Sequence, residues 1–134
     1  MSEAKRQIRV VSAEIKREGC YLITRRPPNA VLPGLWEFPG GRVRAGESDA
    51  DALKRSLVQR IGCSGEVGES LLQVEHSYDG YDLVMGVYPV DLGGLEPVVG
   101  SVAELAWVAL EELSQREFPG ADQQTVDLLL QSDD

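Results

Sequence analysis

The sequence predicts an α/β sandwich built on a mixed β-sheet. Three observations carry this expectation. The chain opens with two β-rich stretches around a tight turn, residues 7–16 and 20–25. A single amphipathic helix with recognisable cap residues follows at 48–61. The second half returns to strands and closes on a helix. Strands and helices do not alternate regularly, which argues against a doubly wound parallel sheet. With 134 residues, 43% hydrophobic and 26% charged, the chain is expected to form one soluble domain over 1–134 with a single core.

The elements follow in order. The N-terminus from Met1 to Arg6 leads into a strand and not into the apolar core of a signal peptide. Residues 7–16 are rich in β-branched side chains, Glu18-Gly19 supplies a turn, and Cys20–Arg25 returns as the second arm of a hairpin. From Pro27 to Gly34 two prolines and a Pro-Gly pair mark a loop, in which Val31 brings no chemistry. Leu35–Phe38 is a short extended piece ending at Pro39-Gly40-Gly41, where the glycines are expected to permit a tight loop with exposed backbone groups. Ser48 is a suitable N-cap with Asp51 three residues on. Ala52, Leu53, Leu57, Val58 and Ile61 recur at helical spacing, and Gly62 stops the helix. Residues 71–76 and 81–91 read as strands around Tyr78-Asp79-Gly80. Glu104–Val108 reads as another strand and 110–115 as a short helix. The last helix runs from Pro119 to about Gln131, with Val126, Leu129 and Leu130 on its buried side.

Charge narrows the function classes. Net charge is −9, but residues 1–60 carry 12 of the 13 Lys and Arg against 7 acids, while 61–134 carry Arg116 alone against 15 acids. A long acidic half disfavours duplex nucleic acid, whereas the basic half suits a small anionic ligand or simply a solvated surface. No apolar run has the length of a membrane span. Cys20 and Cys63 lack metal-ligand spacing and read as free thiols in a reducing cytoplasm. His76, the only histidine, has no Cys or nucleophile to pair with and reads as structural. Gly40-Gly41 has neither the spacing of a dinucleotide fingerprint nor a P-loop Lys-Ser/Thr pair.

One segment is more specific. Gly41, Glu47, Arg55, Leu57 and Gly62 are spaced as in G-x5-E-x7-R-E-U-x-E-E-x-G-U, with U apolar. This is the Nudix box of pyrophosphohydrolases, which residues 41–63 resemble. The lead Leu35-Trp36-Glu37-Phe38-Pro39-Gly40-Gly41, the late strand ending in Trp107-Val108, and the corner Phe118-Pro119-Gly120-Ala121-Asp122 resemble the MutT-like branch of that family. The likeness covers nearly the whole chain and implies a Nudix-type α/β/α sandwich.

The same resemblance marks a departure. In the family pattern the box helix carries acids at i, i+3 and i+4, which share one face and can hold Mg²⁺ through oxygen ligands. Here those positions are Ser56, Gln59 and Arg60. A further acid, expected about six residues before the late Trp, falls on Ser101, and Glu104 is the only acid nearby. Glu47 and Arg55 resemble the pair that braces the box loop. Glu47 is either that brace or a residual catalytic carboxylate. Asp49 and Asp51 are explained by capping and the helix dipole, which leaves Glu37 and Glu75 as acids that a rebuilt metal site could recruit. An arginine at position 60 can pair with phosphate directly, joined by Arg25, Arg26 and Arg42 and by the Gly40-Gly41 backbone, or can be tied to a nearby acid. Phe38 and Asp122 resemble the positions that stack on and hydrogen-bond a purine, with helix capping an equal account of Asp122.

Three functions compete on this reading. The first is a degenerate MutT-like domain that binds a nucleoside di- or triphosphate, or a similar diphosphate, with little or no hydrolysis and no cofactor. The second is an active pyrophosphohydrolase with a rebuilt Mg²⁺ or Mn²⁺ site. The third is a protein-interaction module whose acidic half docks a basic partner.

Overall fold

The computed structural model describes residues 6–30 and 33–132. Met1–Lys5, and Val31 and Leu32 of the proline-rich loop, lie outside the described residues. Strand β1 (Arg6–Glu14) is followed by β2 (Lys16–Arg17), β3 (Cys20–Arg25), β4 (Trp36–Glu37) and β5 (Gly40–Arg42). Helix α1 (Asp49–Ile61) precedes β6 (Glu66–Val67), β7 (Leu72–Tyr78), β8 (Tyr81–Asp91) and β9 (Glu104–Ala109). Helices α2 (Leu110–Leu113) and α3 (Gly120–Ser132) close the chain.

Two sheets result. The larger has the order β5-β1-β8-β6, with β7 also paired to β8. β1 and β8 run parallel, and the other pairs are antiparallel. The smaller has the order β2-β3-β4, with β9 on the other side of β3. Strand alternation then decides the layers. Val11, Ala13 and Ile15 meet Ala52, Leu53, Leu57 and Ile61 of α1 on one face. Val74, Met85 and Val87 meet Ala121 of α3 on the other. Across β3, Leu22 joins the first cluster, while Tyr21 and Ile23 join Trp36, Phe38, Leu113, Val126 and Leu129. This is the expected α/β/α sandwich around a mixed sheet.

Several sequence expectations change in detail. The 7–16 strand breaks at Ile15, so its first part enters the large sheet and only Lys16–Arg17 forms the hairpin with β3. Gly40 and Gly41 do not form an open loop. They are ladder partners of Ser12 and Val11 in β5. A Cβ on Gly40 would fall 1.9 Å from the Val11 carbonyl oxygen, so glycine serves close backbone approach there. On α1, Val58 is 55% exposed and Ser56 takes a buried place instead. Leu130 of α3 is also exposed, while Val126 and Leu129 are buried as expected. His76 packs its ring on Tyr78 and against Gly120, a structural role. Cys20 and Cys63 are free thiols, and among the described residues no helix is long and apolar enough to cross a membrane.

Candidate functional site

Helix α1 sets one wall of the site. Ser48 Oγ accepts the Asp51 amide at 3.1 Å, and Gly62 ends the helix in the left-handed region at φ 77°. Asp49, in the first turn, accepts from Arg9 Nη2 at 2.8 Å and from the Tyr88 hydroxyl. The far end is held by the 98–101 segment. Val98, Gly100 and Ser101 amides donate to the carbonyls of Ile61, Arg60 and Gln59. These bonds satisfy carbonyls that a helix end leaves open.

The loop before α1 is fixed by the expected pair. Arg55 donates from Nε and Nη2 to the two Glu47 oxygens at 2.7 and 2.9 Å, and Nη2 also reaches the Arg42 carbonyl. Glu47 accepts the Arg44 amide as well. The hydrogen bond from Arg55, helped by the Arg44 amide, holds the Glu47 carboxyl down at about 2. Glu47 is thus an anchored anion that already accepts three hydrogen bonds, two on Oε1 and one on Oε2.

The three helix positions that the resemblance marks behave differently from one another. Ser56 is 1% exposed, and its hydroxyl has no partner among the described residues. It lies under Gly41, where a Cβ would come within 2.4 Å of Oγ. Gln59 is exposed and accepts a long bond from Arg55. Arg60 donates Nε to the Gly40 carbonyl at 2.9 Å, which leaves its other guanidinium N–H groups toward the cleft. Among the described residues no three His, Cys, Asp or Glu side chains come together as a metal would need. Glu37 lines the cleft but is paired with Arg26 at 2.8 Å, and Glu75 does not line it.

Two recesses meet at Gly41, Arg42 and Arg60. The shallower is lined by Arg42, Arg44, Arg55, Ser56, Gln59 and Arg60. The deeper is a cleft of about 450 Å³ over the face of the large sheet that carries Ile8, Val10, Leu83 and Met85. Its inner end holds Ser12, Phe38 and Asp122, and its rim carries Arg6, Arg26, Arg42 and Arg60. Arg25 is not among its walls, because strand alternation turns it toward Glu104 and the Gly34 carbonyl. The Phe38 ring is 2% exposed and stacked on Phe118 at 5.7 Å, while its amide donates to Asp122 Oδ1 at 3.2 Å. Asp122 is 7% exposed. Burial first, then the neighbouring Glu37, pushes its carboxyl up to about 8 against the pull of the Phe38 amide and Arg26. Near neutrality it therefore carries a proton and can donate as well as accept. Arg6, Ser12 and Arg44 were missed by sequence reasoning. Only the register of β1 and the course of the box loop bring them to these walls.

The sequence profile of the NUDIX domain matches residues 10–128. The CTP pyrophosphohydrolase of Escherichia coli is 34% identical over 118 residues, covering 87% of each chain. The 8-oxo-dGTP diphosphatase of Haemophilus influenzae is 31% identical and covers 94% of this chain and 93% of its own. The crystal structure of the MutT protein from Methanosarcina mazei superposes with a TM-score of 0.86 at 26% identity, over 98% of both chains. By profile, by relatives and by architecture, this chain belongs to the Nudix family.

Proposed function

We propose that the chain binds a nucleoside di- or triphosphate, or a related diphosphate, through arginine side chains, with little or no metal-dependent hydrolysis. The observation that carries this reading is Arg60. A guanidinium bonded to the Gly40 carbonyl stands at the helix turn where the family pattern calls for an acid. The side chains present do not fit a hard divalent cation. Ser56 is buried, Gln59 is neutral, Glu47 is locked to Arg55, and Arg60 repels positive charge. The same set suits an anion. Arg60 and Arg42 face both recesses, and Arg42 makes no ion pair with any described residue. Planar guanidinium forks bind phosphate oxygens bidentately without a bridging ion. Arg26 contributes from the rim as the partner of Glu37. The Gly40 carbonyl holds Arg60, and Gly41, lacking a side chain, lets Ser56 and Arg60 approach the strand.

A second reading, an active pyrophosphohydrolase using Mg²⁺ or Mn²⁺, is favoured by the activities of the relatives. One panel separates the two: purified protein, a set of nucleoside triphosphates, phosphate release with each metal, and thermal shift in EDTA. Stabilisation by nucleotide in EDTA without turnover supports binding. Metal-dependent turnover abolished by Glu47→Gln supports catalysis instead.

A further inference from the structure

Ser12 occupies an unusual place. Along β1, Val11 and Ala13 face α1, so Val10 and Ser12 face the other way, toward α3 and the cleft. That face is apolar at Ile8, Val10, Leu83 and Met85. Ser12 interrupts it at the inner end. Its side chain is 2% exposed, and its hydroxyl has no hydrogen-bond partner among the described residues. A buried orphan hydroxyl costs stability, and alanine would fill the same space without that cost. Among the described residues three other buried hydroxyls lack a partner, but of these Ser64 and Thr125 line neither recess, and Ser56 belongs to the arginine-rich one. Of the four, Ser12 alone lines the deep cleft, at the end where Asp122 spends Oδ1 on the Phe38 amide.

We propose that Ser12 is a specificity-determining residue, its hydroxyl pairing with a polar ring atom of a nucleobase that enters the cleft base-first while the phosphates stay at Arg42 and Arg60. This rests on the nucleotide reading above and on the base pocket that the family resemblance implies at Phe38 and Asp122, and adds a residue that senses the base. A base edge offers ring N–H and carbonyl groups, and a serine hydroxyl can donate to one or accept from the other. An inorganic polyphosphate offers neither. Sites that hold a buried polar group for a ligand discriminate strongly against molecules lacking its complement.

The test is calorimetric titration in EDTA of the parent and Ser12→Ala with GTP, CTP and inorganic tripolyphosphate, alongside melting curves of both free proteins. The expected result is a loss of about tenfold in Ser12→Ala for whichever nucleotide the parent prefers, the size of one hydrogen bond. Tripolyphosphate affinity should be unchanged, and Tm equal to or above that of the parent. Unchanged nucleotide affinity in a parent that binds nucleotide overturns the role of Ser12 and leaves the nucleotide reading standing. Equal losses for nucleotide and tripolyphosphate also overturn it. A parent that binds none of the three overturns the nucleotide reading, and this inference with it.

Discussion

Asp122→Asn should flatten the pH dependence of stability. The wild-type carboxyl rises from 3.8 to about 8 on folding because it is buried beside Glu37. Between those values the folded state keeps a proton that the unfolded chain has released. Stability from this group is therefore complete below about pH 4, falls as pH rises, and is gone above about pH 8. A span of about 4 units at about 1.4 kcal/mol each sets a ceiling of about 6 kcal/mol. A domain of ordinary stability, about 5–15 kcal/mol, would barely survive that loss. The effective interior dielectric is nearer 20 than 4, so a loss of about 2–3 kcal/mol between pH 5 and pH 8 is expected. Asparagine keeps an oxygen for the Phe38 amide and does not titrate. Urea unfolding of parent and variant at pH 5, 6, 7 and 8 measures the difference, with unchanged m-values confirming the same transition. The advantage of Asp122→Asn should grow by about 2 kcal/mol over that range. A pH-independent gap would refute the buried-acid argument.

Three further outcomes follow from the geometry. Gly41→Ala should cost about 1–3 kcal/mol, because its methyl would land 2.4 Å from Ser56 Oγ; Ser56→Ala in the same chain should recover part of it, read as a coupling energy in a double-mutant cycle. Glu47 is held at about 2, so its contribution is present above about pH 4.5 and lost as pH falls toward 2; the Tm of the parent should drop more steeply on acidification than that of Glu47→Gln. Replacing Ser56, Gln59 and Arg60 together by glutamate should create Mg²⁺-dependent phosphate release from nucleoside triphosphates, and a folded triple variant with no gain over the parent would show that the cleft differs elsewhere.

Much of the frame was legible because its signals are local. Ser48 and Gly62 bound α1 within a residue, and Cys20–Arg25 forms β3 as read. The misread details depend on contacts distant in sequence. Val58 matched the apolar pattern, yet it points to solvent, while Ser56 is buried because Gly41, fifteen residues earlier, has no side chain to keep it out. Gly40-Gly41 carries turn chemistry but pairs as a strand, since β1 lies too close to Gly40, and Ser56 of α1 too close to Gly41, to leave room for a Cβ. Residues 7–16 are uniformly β-prone, and nothing local announces the change of sheet at Ile15. In the site, the resemblance to the Nudix box implied the Glu47–Arg55 pair, which the structure shows hydrogen-bonded. Arg25 and Arg26 looked equivalent until strand alternation sent only Arg26 to the cleft. Ser12 gave no signal, because one serine among valines and alanines is noteworthy only once the partners of its hydroxyl are known.

The central claim is that guanidinium groups, and not a metal ion, hold the phosphates against α1. Titration of nucleoside triphosphate into the parent and into Arg60→Ala, both in EDTA, addresses it directly. The account predicts saturable binding by the parent and a loss of tenfold or more in the variant, about 1.4 kcal/mol or above for a charge-assisted phosphate contact. Equal affinity in the two proteins, or binding that appears only when Mg²⁺ is added, would contradict it.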